Sequence, residues 1–293
     1  MEKKTIIGIG EILWDILPEG KQLGGAPANF AWHCQQLGAR GAVISAVGND
    51  SNGKEIMDFI EKKEIINGIS ITDKPTGTVE VKLVDGIPEY VIHEDVAWDF
   101  IQLNETGKEV LNQADAICFG SLAQRNEVSR DSIIRALEMT PDSCLKIFDI
   151  NLRQNYYSRD VISSSLKHAD VFKINEEELE EVKKLFGFNG SKHSVAKSML
   201  DFFDLQLLAI TGGELGSLLL SENDTSEMKT PKVEVADTIG AGDSFTAALA
   251  MGILNEYPLQ QIHSNAVEIS AFVCTRNGAM PVLPETIVKR INK

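Results

Sequence analysis

Basic side chains are in short supply in this chain: 28 Lys and Arg stand against 43 Asp and Glu, a formal net charge of −15. With no basic field to draw phosphate in, neither nucleic acid nor an anionic membrane is an expected partner. Any phosphate compound must instead be met by local potential from backbone N–H groups, helix N-termini, a few cations or a metal. Cysteine is scarce and scattered. Cys34, Cys118, Cys144 and Cys274 offer no CxxC pair, no zinc grouping and no disulfide scaffold, so reduced, mostly buried thiols in a cytoplasmic protein are expected. No uninterrupted apolar run approaches the ~20 residues a bilayer requires. The opening MEKKTIIGIGEILWDIL imitates a signal peptide until Glu11 and Asp15 interrupt it, and it reads as a first strand leading to a turn. The Asn-x-Ser/Thr matches at Asn104, Asn189 and Asn223 are then chance. Internal repeats, low-complexity segments and the His/Asp clusters of a metal-dependent hydrolase are also missing.

What is present suits a globular protein. The 293 residues, 43% hydrophobic and 24% charged, fit one large domain spanning 1–293. Short β-rich runs (TIIGI, GAVISAVG, AICFGS, LKIFDI, VFKIN, LQLLAIT) alternate with helical stretches, among them PANFAWHCQQLG and EEELEEVKKLF. That rhythm predicts an α/β fold, a mostly parallel sheet with helices on both faces. The stretch from Thr76 to Ile101 departs from it, with two alternating patterns around Asp85-Gly86. These predict a small antiparallel β flap, a lid formed from about 15–24 and 76–101.

One segment dominates the chemistry. In VADTIGAGDSFTAALAMGIL a strand-like VEVAD runs into Gly240-Ala241-Gly242-Asp243, and an Ala-rich helix follows at once. The two glycines permit close backbone approach, and successive N–H groups at a helix N-terminus make an anion site without a basic side chain. Asp243 is then a base beside that site; the plain alternative is a helix cap. The helix N-terminus is expected to lower its pKa. By contrast, GNDSNGKE (Gly48 to Glu55) only imitates a phosphate-binding P-loop, because Glu55 replaces the magnesium-binding hydroxyl.

At this point the chain resembles the ribokinase-like sugar kinases, the phosphofructokinase B group, in an ordered set of motifs covering essentially its whole length. GGAPANFA (Gly24 to Ala31) and DTIGAGDSF (Asp237 to Phe245) look like the two family signatures. FDINLR, KINEEE, ITGGELGS and TRNGAMPVLP look like the elements between and after them. The resemblance implies a ribokinase-like fold and ATP-dependent phosphorylation of a sugar hydroxyl. Asp243 would take the hydroxyl proton while the amides of Gly240, Ala241 and Gly242 hold the migrating group.

Further roles follow from the same resemblance. Asp15, Gly25, Asn29, Arg153 and His93 would bind the sugar; Asp15, at the end of the first strand, and Asn29 suit vicinal hydroxyls even though each is also an ordinary turn or cap residue, and His93 is otherwise an exposed strand residue. Asn175, Glu178, Thr211, Gly213, Gly216, Asn265 and Gly278 would serve ATP, with Asn277 and Ala279 beside the adenine. Asn175 and Glu178 would organise magnesium through water, and Asp237 and Thr238 would hold a monovalent cation such as potassium. FGSLAQR and FDINLRQNYYS resemble fructokinase versions of their segments, which makes D-fructose the expected sugar. His93 stands where those enzymes usually carry arginine, leaving ribose, 2-keto-3-deoxygluconate or another ketose as alternatives. A homodimer through the lid is expected, and a non-catalytic sugar or nucleotide sensor is the competing class.

Overall fold

A computed structural model describes residues 3–17, 20–84 and 87–291, those from 81 to 90 by backbone alone. The first strands are β1 (Thr5–Ile9), β2 (Leu13–Leu17), β3 (Gly20–Gly24), β4 (Arg40–Ile44) and β5 (Ala46–Gly48). Next come β6 (Ile66–Asn67), β7 (Ser70–Thr72), β8 (Gly77–Val84), β9 (Ile87–Ile92) and β10 (Ala116–Phe119). The last are β11 (Leu145–Asp149), β12 (Val171–Asn175), β13 (Leu207–Thr211), β14 (Ser217–Ser221) and β15 (Thr225–Met228). The helices are α1 (Ala26–Gln36), α2 (Ser51–Lys62), α3 (Glu105–Leu111), α4 (Glu127–Met139) and α5 (Arg159–Leu166). They continue with α6 (Glu176–Phe186), α7 (Lys192–Phe203), α8 (Ala241–Leu254), α9 (Leu259–Cys274) and α10 (Glu285–Ile291).

Nine strands form the main sheet in the order β15-β14-β13-β12-β11-β10-β1-β4-β6. It is parallel from β13 to β6, and β14 and β15 add an antiparallel hairpin at one edge. Side-chain alternation along each strand splits the core in two. Ile6, Cys118, Ile147, Val171 and Ala209 pack toward α1, α8 and α9, while Ile7, Ile117, Phe148, Phe172 and Leu208 pack toward α3 to α7. Because Phe119, Phe148 and Phe172 share one rung of the register, their rings stack across three strands at 5.2 and 5.6 Å between centroids. Helix α8 is apolar all round because α1 and α9 enclose it. Its alanines let three helix axes approach over one sheet face.

Four strands, in the order β3-β2-β8-β9, make the lid sheet. It is mixed rather than antiparallel, because β8 joins β2 in parallel while each also carries an antiparallel partner. The expected Asp85-Gly86 turn lies outside the described residues. Other sequence expectations also need correction. Asp15 does not end the first strand but sits on β2, in the lid. GAVISAVG is two strands, not one: Ser45 breaks it by donating to the Gly10 carbonyl at 2.6 Å, and β5 pairs with β7 in a separate sheet. VEVAD (233–237) forms no strand; β15 already occupies the sheet edge, and Ala236 donates instead to the Cys274 carbonyl ending α9. Among the described residues, no helix is long and apolar enough to cross a membrane.

Candidate active site

The parallel strands end on one side of the sheet, where open α/β folds place their ligands. A cavity of about 1340 Å³ lies there between the main sheet and the lid. Its floor is made by residues at or just beyond strand ends: Glu11 after β1, Asp149 ending β11, Asn175 ending β12 and Thr211 ending β13. Gly240, Gly242 and Asp243 close it from the start of α8, and Leu13, Leu17, Val79 and Val91 supply apolar cover from the lid.

The turn before α8 is tightly specified. Gly240 caps the helix in the left-handed region at φ 77°, and a Cβ there would lie 2.5 Å from the Ala279 carbonyl oxygen. His33 of α1 contacts that same oxygen through Nε2 at 2.9 Å, fixing the segment behind the turn. At Gly242 a Cβ would meet only the Lys173 ammonium, at 3.1 Å, so this glycine keeps open the space in front of the amides.

Asp243 accepts a hydrogen bond from Asn29 Nδ2 at 2.7 Å. Its pKa is raised to about 6, not lowered as the helix N-terminus alone would suggest. Loss of solvation is the main cause and the Asp149 charge adds to it, while Asn29, Lys173 and Arg153 pull the other way. Beneath lies a charge pair that sequence inspection missed. Lys173 on β12 donates to Asp149 Oδ1 at 3.0 Å, and Thr246 of α8 donates to Asp149 Oδ2 at 2.7 Å. Burial alone would lower the Lys173 pKa, but the neighbouring Asp149 and Glu178 carboxylates leave it raised. Glu11 was missed as well. Its buried carboxyl lines the cavity and is pushed up to about 7 by desolvation. The signal for both was a charged residue inside an apolar strand pattern, which burial makes costly unless a partner or a ligand waits for it.

The cavity gathers Asp15, Gly25, Asn29, Arg153, Asn175, Glu178, Thr211, Thr238, Gly240, Gly242 and Asp243. Burial pushes Asp15 up to about 6, with Arg153 opposing. A Cβ on Gly24 would lie 2.4 Å from Asp15 Oδ2, so that glycine makes room for the carboxyl. Asn175 caps α6 by accepting from the Glu178 amide at 2.8 Å. Glu178 returns one carboxyl oxygen to the Asn175 amide at 2.9 Å and gives the other to the Leu152 amide at 2.8 Å. With its oxygens committed to backbone, this pair suits a metal held through water better than direct coordination. Asp237 is engaged likewise, accepting from the Ile239 and Gly278 amides, which leaves carbonyl oxygens of the turn for a cation.

Other expected residues lie outside the cavity lining. Ala241 and Asp237 are in the adjoining turn, and Gly213, Gly216, Asn265 and Gly278 lie beyond it. At Gly216, φ is 102° and a Cβ would meet the Met228 carbonyl oxygen at 2.4 Å, so that glycine serves the β14–β15 packing. His93 is also apart from the cavity; its ring lies 3.3 Å from Glu80 on the lid. The imitation P-loop has no room for phosphate. Thr76 donates to Asp50 and accepts from the Gly48 amide, and a Cβ at Gly48 would lie 2.5 Å from the Lys74 carbonyl oxygen.

A glycine turn capping a helix with a carboxylate beside it, at the strand ends of an α/β sheet and under a β lid, suits a phosphotransferase acting on a small alcohol. Residues 19–286 match the family described as pfkB family carbohydrate kinase. The chain is 32% identical over 268 residues to the sugar kinase PH1459 of Pyrococcus horikoshii, covering 85% of this chain and 82% of that one. The crystal structure of PH1459 in complex with ATP superposes with a TM-score of 0.82 at 28% identity, covering 98% and 99%. The probable fructokinase-3 of Arabidopsis thaliana is 29% identical (98% and 90% covered). The ATP-dependent 6-phosphofructokinase of Thermoanaerobacterium thermosaccharolyticum is 26% identical (97% and 92% covered). The chain belongs to the pfkB family of carbohydrate kinases and phosphorylates a sugar at the expense of ATP.

Proposed function

We propose that the sugar is neutral and that it is D-fructose, phosphorylated at its primary hydroxyl to fructose 6-phosphate. The charge of the cavity carries the first half of this proposal. Six carboxyl groups, Glu11, Asp15, Glu94, Asp149, Glu178 and Asp243, line it alongside the guanidinium of Arg153 and the ammonium of Lys173. Lys173 is already committed to Asp149. A sugar acid or sugar phosphate would bring a further negative charge into that surrounding, whereas hydroxyl groups find acceptors there. Fructose itself is favoured by the fructokinase-like FGSLAQR and FDINLRQNYYS segments and by the relative named a fructokinase.

In the proposed reaction Asp243 accepts the hydroxyl proton as the oxygen attacks in line, and Asn29 holds that carboxylate in place. The amides of Gly240, Ala241 and Gly242 receive the charge on the migrating phosphoryl group. Asp15 and Asn29 divide the sugar hydroxyls, and Arg153 faces the phosphate path. Asn175, Glu178, Thr211, Gly213, Gly216, Asn265 and Gly278 belong to the nucleotide half. Magnesium, held through water near Asn175 and Glu178, would neutralise charge on the ATP phosphates. Potassium would sit on the carbonyl side of Asp237 and Thr238. The whole chain acts as one domain with its lid, in the cytoplasm, as a dimer through the lid sheet; sedimentation as a monomer at high concentration would remove the dimer.

An ATP-consumption screen over D-fructose, ribose, 2-keto-3-deoxygluconate and fructose 6-phosphate, with and without potassium, tests the assignment. The highest kcat/KM is expected with fructose. Turnover confined to a charged sugar would overturn it, and silence across the panel would favour a sensor.

A further inference from the structure

We infer that Arg125 is a positioning residue for the sugar: it fixes the cavity wall made by Ile92, Glu94 and Tyr156 and so sets sugar affinity without touching the sugar. Arg125 ends the short 3-10 turn Leu122–Arg125 that follows β10, and its side chain is only 6% exposed. Nε and Nη2 donate to the two carboxylate oxygens of Asp99 at 2.7 and 2.9 Å. Nη2 also donates to the His93 carbonyl at 2.6 Å. The flat guanidinium lies over the Trp98 ring at 3.9 Å and against the Tyr156 ring at 4.7 Å.

These contacts join three parts of the cavity. His93 directly follows β9, so the lid is held where it returns to the body. Trp98 presses on the other root: a Cβ at Gly77, the first residue of β8, would lie 2.3 Å from its Nε1. Tyr156 belongs to the loop that carries Arg153, and its hydroxyl donates to Glu94 Oε1 at 2.7 Å. Ile92, Glu94, Arg153 and Tyr156 line the cavity, whereas Arg125 and Asp99 do not. The geometry needs arginine specifically. A lysine could neutralise Asp99, but it offers neither the two-pronged bond nor a plane for two aromatic rings.

The inference rests on the cavity being the sugar site. Arg125→Lys and Tyr156→Phe are compared with the parent using D-fructose, or the panel sugar that supports turnover, as the varied substrate. Arg125→Lys is expected to raise the sugar KM about tenfold, the loss of one charge-assisted bond. Both kcat and the KM for ATP should change by less than about twofold, since uniform binding alone is removed. Tyr156→Phe leaves the Arg125–Asp99 pair intact and should also raise the sugar KM, and the two changes together should be less than multiplicative because they act on one wall. An unchanged sugar KM in both folded variants would overturn the proposal, as would a fall in kcat at constant KM. If Arg125→Lys unfolds, a parental KM in Tyr156→Phe overturns it as well. Asp243→Asn run alongside separates the failures. Full turnover there would sink the site and this inference together, whereas an inactive Asp243→Asn beside parental KM values would sink only this inference.

Discussion

Asn29 on α1 and Asp243 on α8, 214 positions apart, meet through a 2.7 Å hydrogen bond from the amide to the carboxylate. The bond lowers the Asp243 pKa against the burial that raises it. Removing the donor in Asn29→Ala should therefore move the acid limb of the kcat/KM profile upward from its expected position near pH 6. Loss of the bond, and of the sugar contact proposed for Asn29, should also cut kcat/KM by about 10- to 100-fold. The pH profile of the purified variant is the measurement. An unmoved acid limb would show that Asn29 does not tune this carboxylate.

Asp243→Asn keeps the size of the side chain and removes the carboxylate proposed to accept the proton. A fall in kcat of about 10²–10⁴ is expected, with the circular dichroism spectrum and the ATP affinity unchanged. Near-normal turnover would refute its assignment as the base.

Glu11 links stability to pH in a way that a surface carboxylate would not. Its folded-state pKa of about 7 lies above the reference value of 4.5, so the folded protein holds this proton in the window where the unfolded chain has released it. Stability from this group is therefore fully present below about pH 4.5 and is lost as pH rises through about 7. Glu11→Gln cannot ionise and escapes that loss. The variant should be about 2–3 kcal/mol more stable than the parent at pH 8 and nearly equal to it at pH 4.5. Urea titrations at the two pH values, without ligands, decide it; an equal difference at both would exclude an ionising Glu11.

The layered fold was legible because its strands are buried on both faces and read as short apolar runs between amphipathic helices. The glycine turn before α8 was legible because glycines on both sides of an alanine, directly before an aspartate, exceed what a plain helix cap requires. Less visible were features decided by distant partners. Whether Asp15 ends β1 or lies on β2 depends on β2 pairing with β8, more than 60 residues on in the chain. The break of GAVISAVG at Ser45 depends on the Gly10 carbonyl. The pKa direction of Asp243 was misjudged because only the local helix dipole can be read from sequence, whereas burial and Asp149 come from the tertiary fold. His93 looked like a sugar contact from its motif position, yet its ring turns to Glu80.

Lys173 and Asp149 show how much of the site rests on a pair with no motif of its own. Each side chain is only 9% exposed, and the bond between them spans 3.0 Å directly beneath the Gly242 turn. Lys173→Met would leave the Asp149 carboxylate buried with only the Thr246 hydroxyl for company. An unpaired buried charge of this kind costs about 3–5 kcal/mol, far more than the intact pair adds over an apolar replacement. The single variant should accordingly lose about that much stability in urea denaturation, while Lys173→Met combined with Asp149→Leu should recover most of it. Activity should not return with stability. The double variant still lacks the ammonium that faces the open side of Gly242, so kcat should stay depressed after the fold is restored. Recovery of both together would mean that the pair only supports the fold. A single variant as stable as the parent would mean that the carboxylate is not buried as a charge at all.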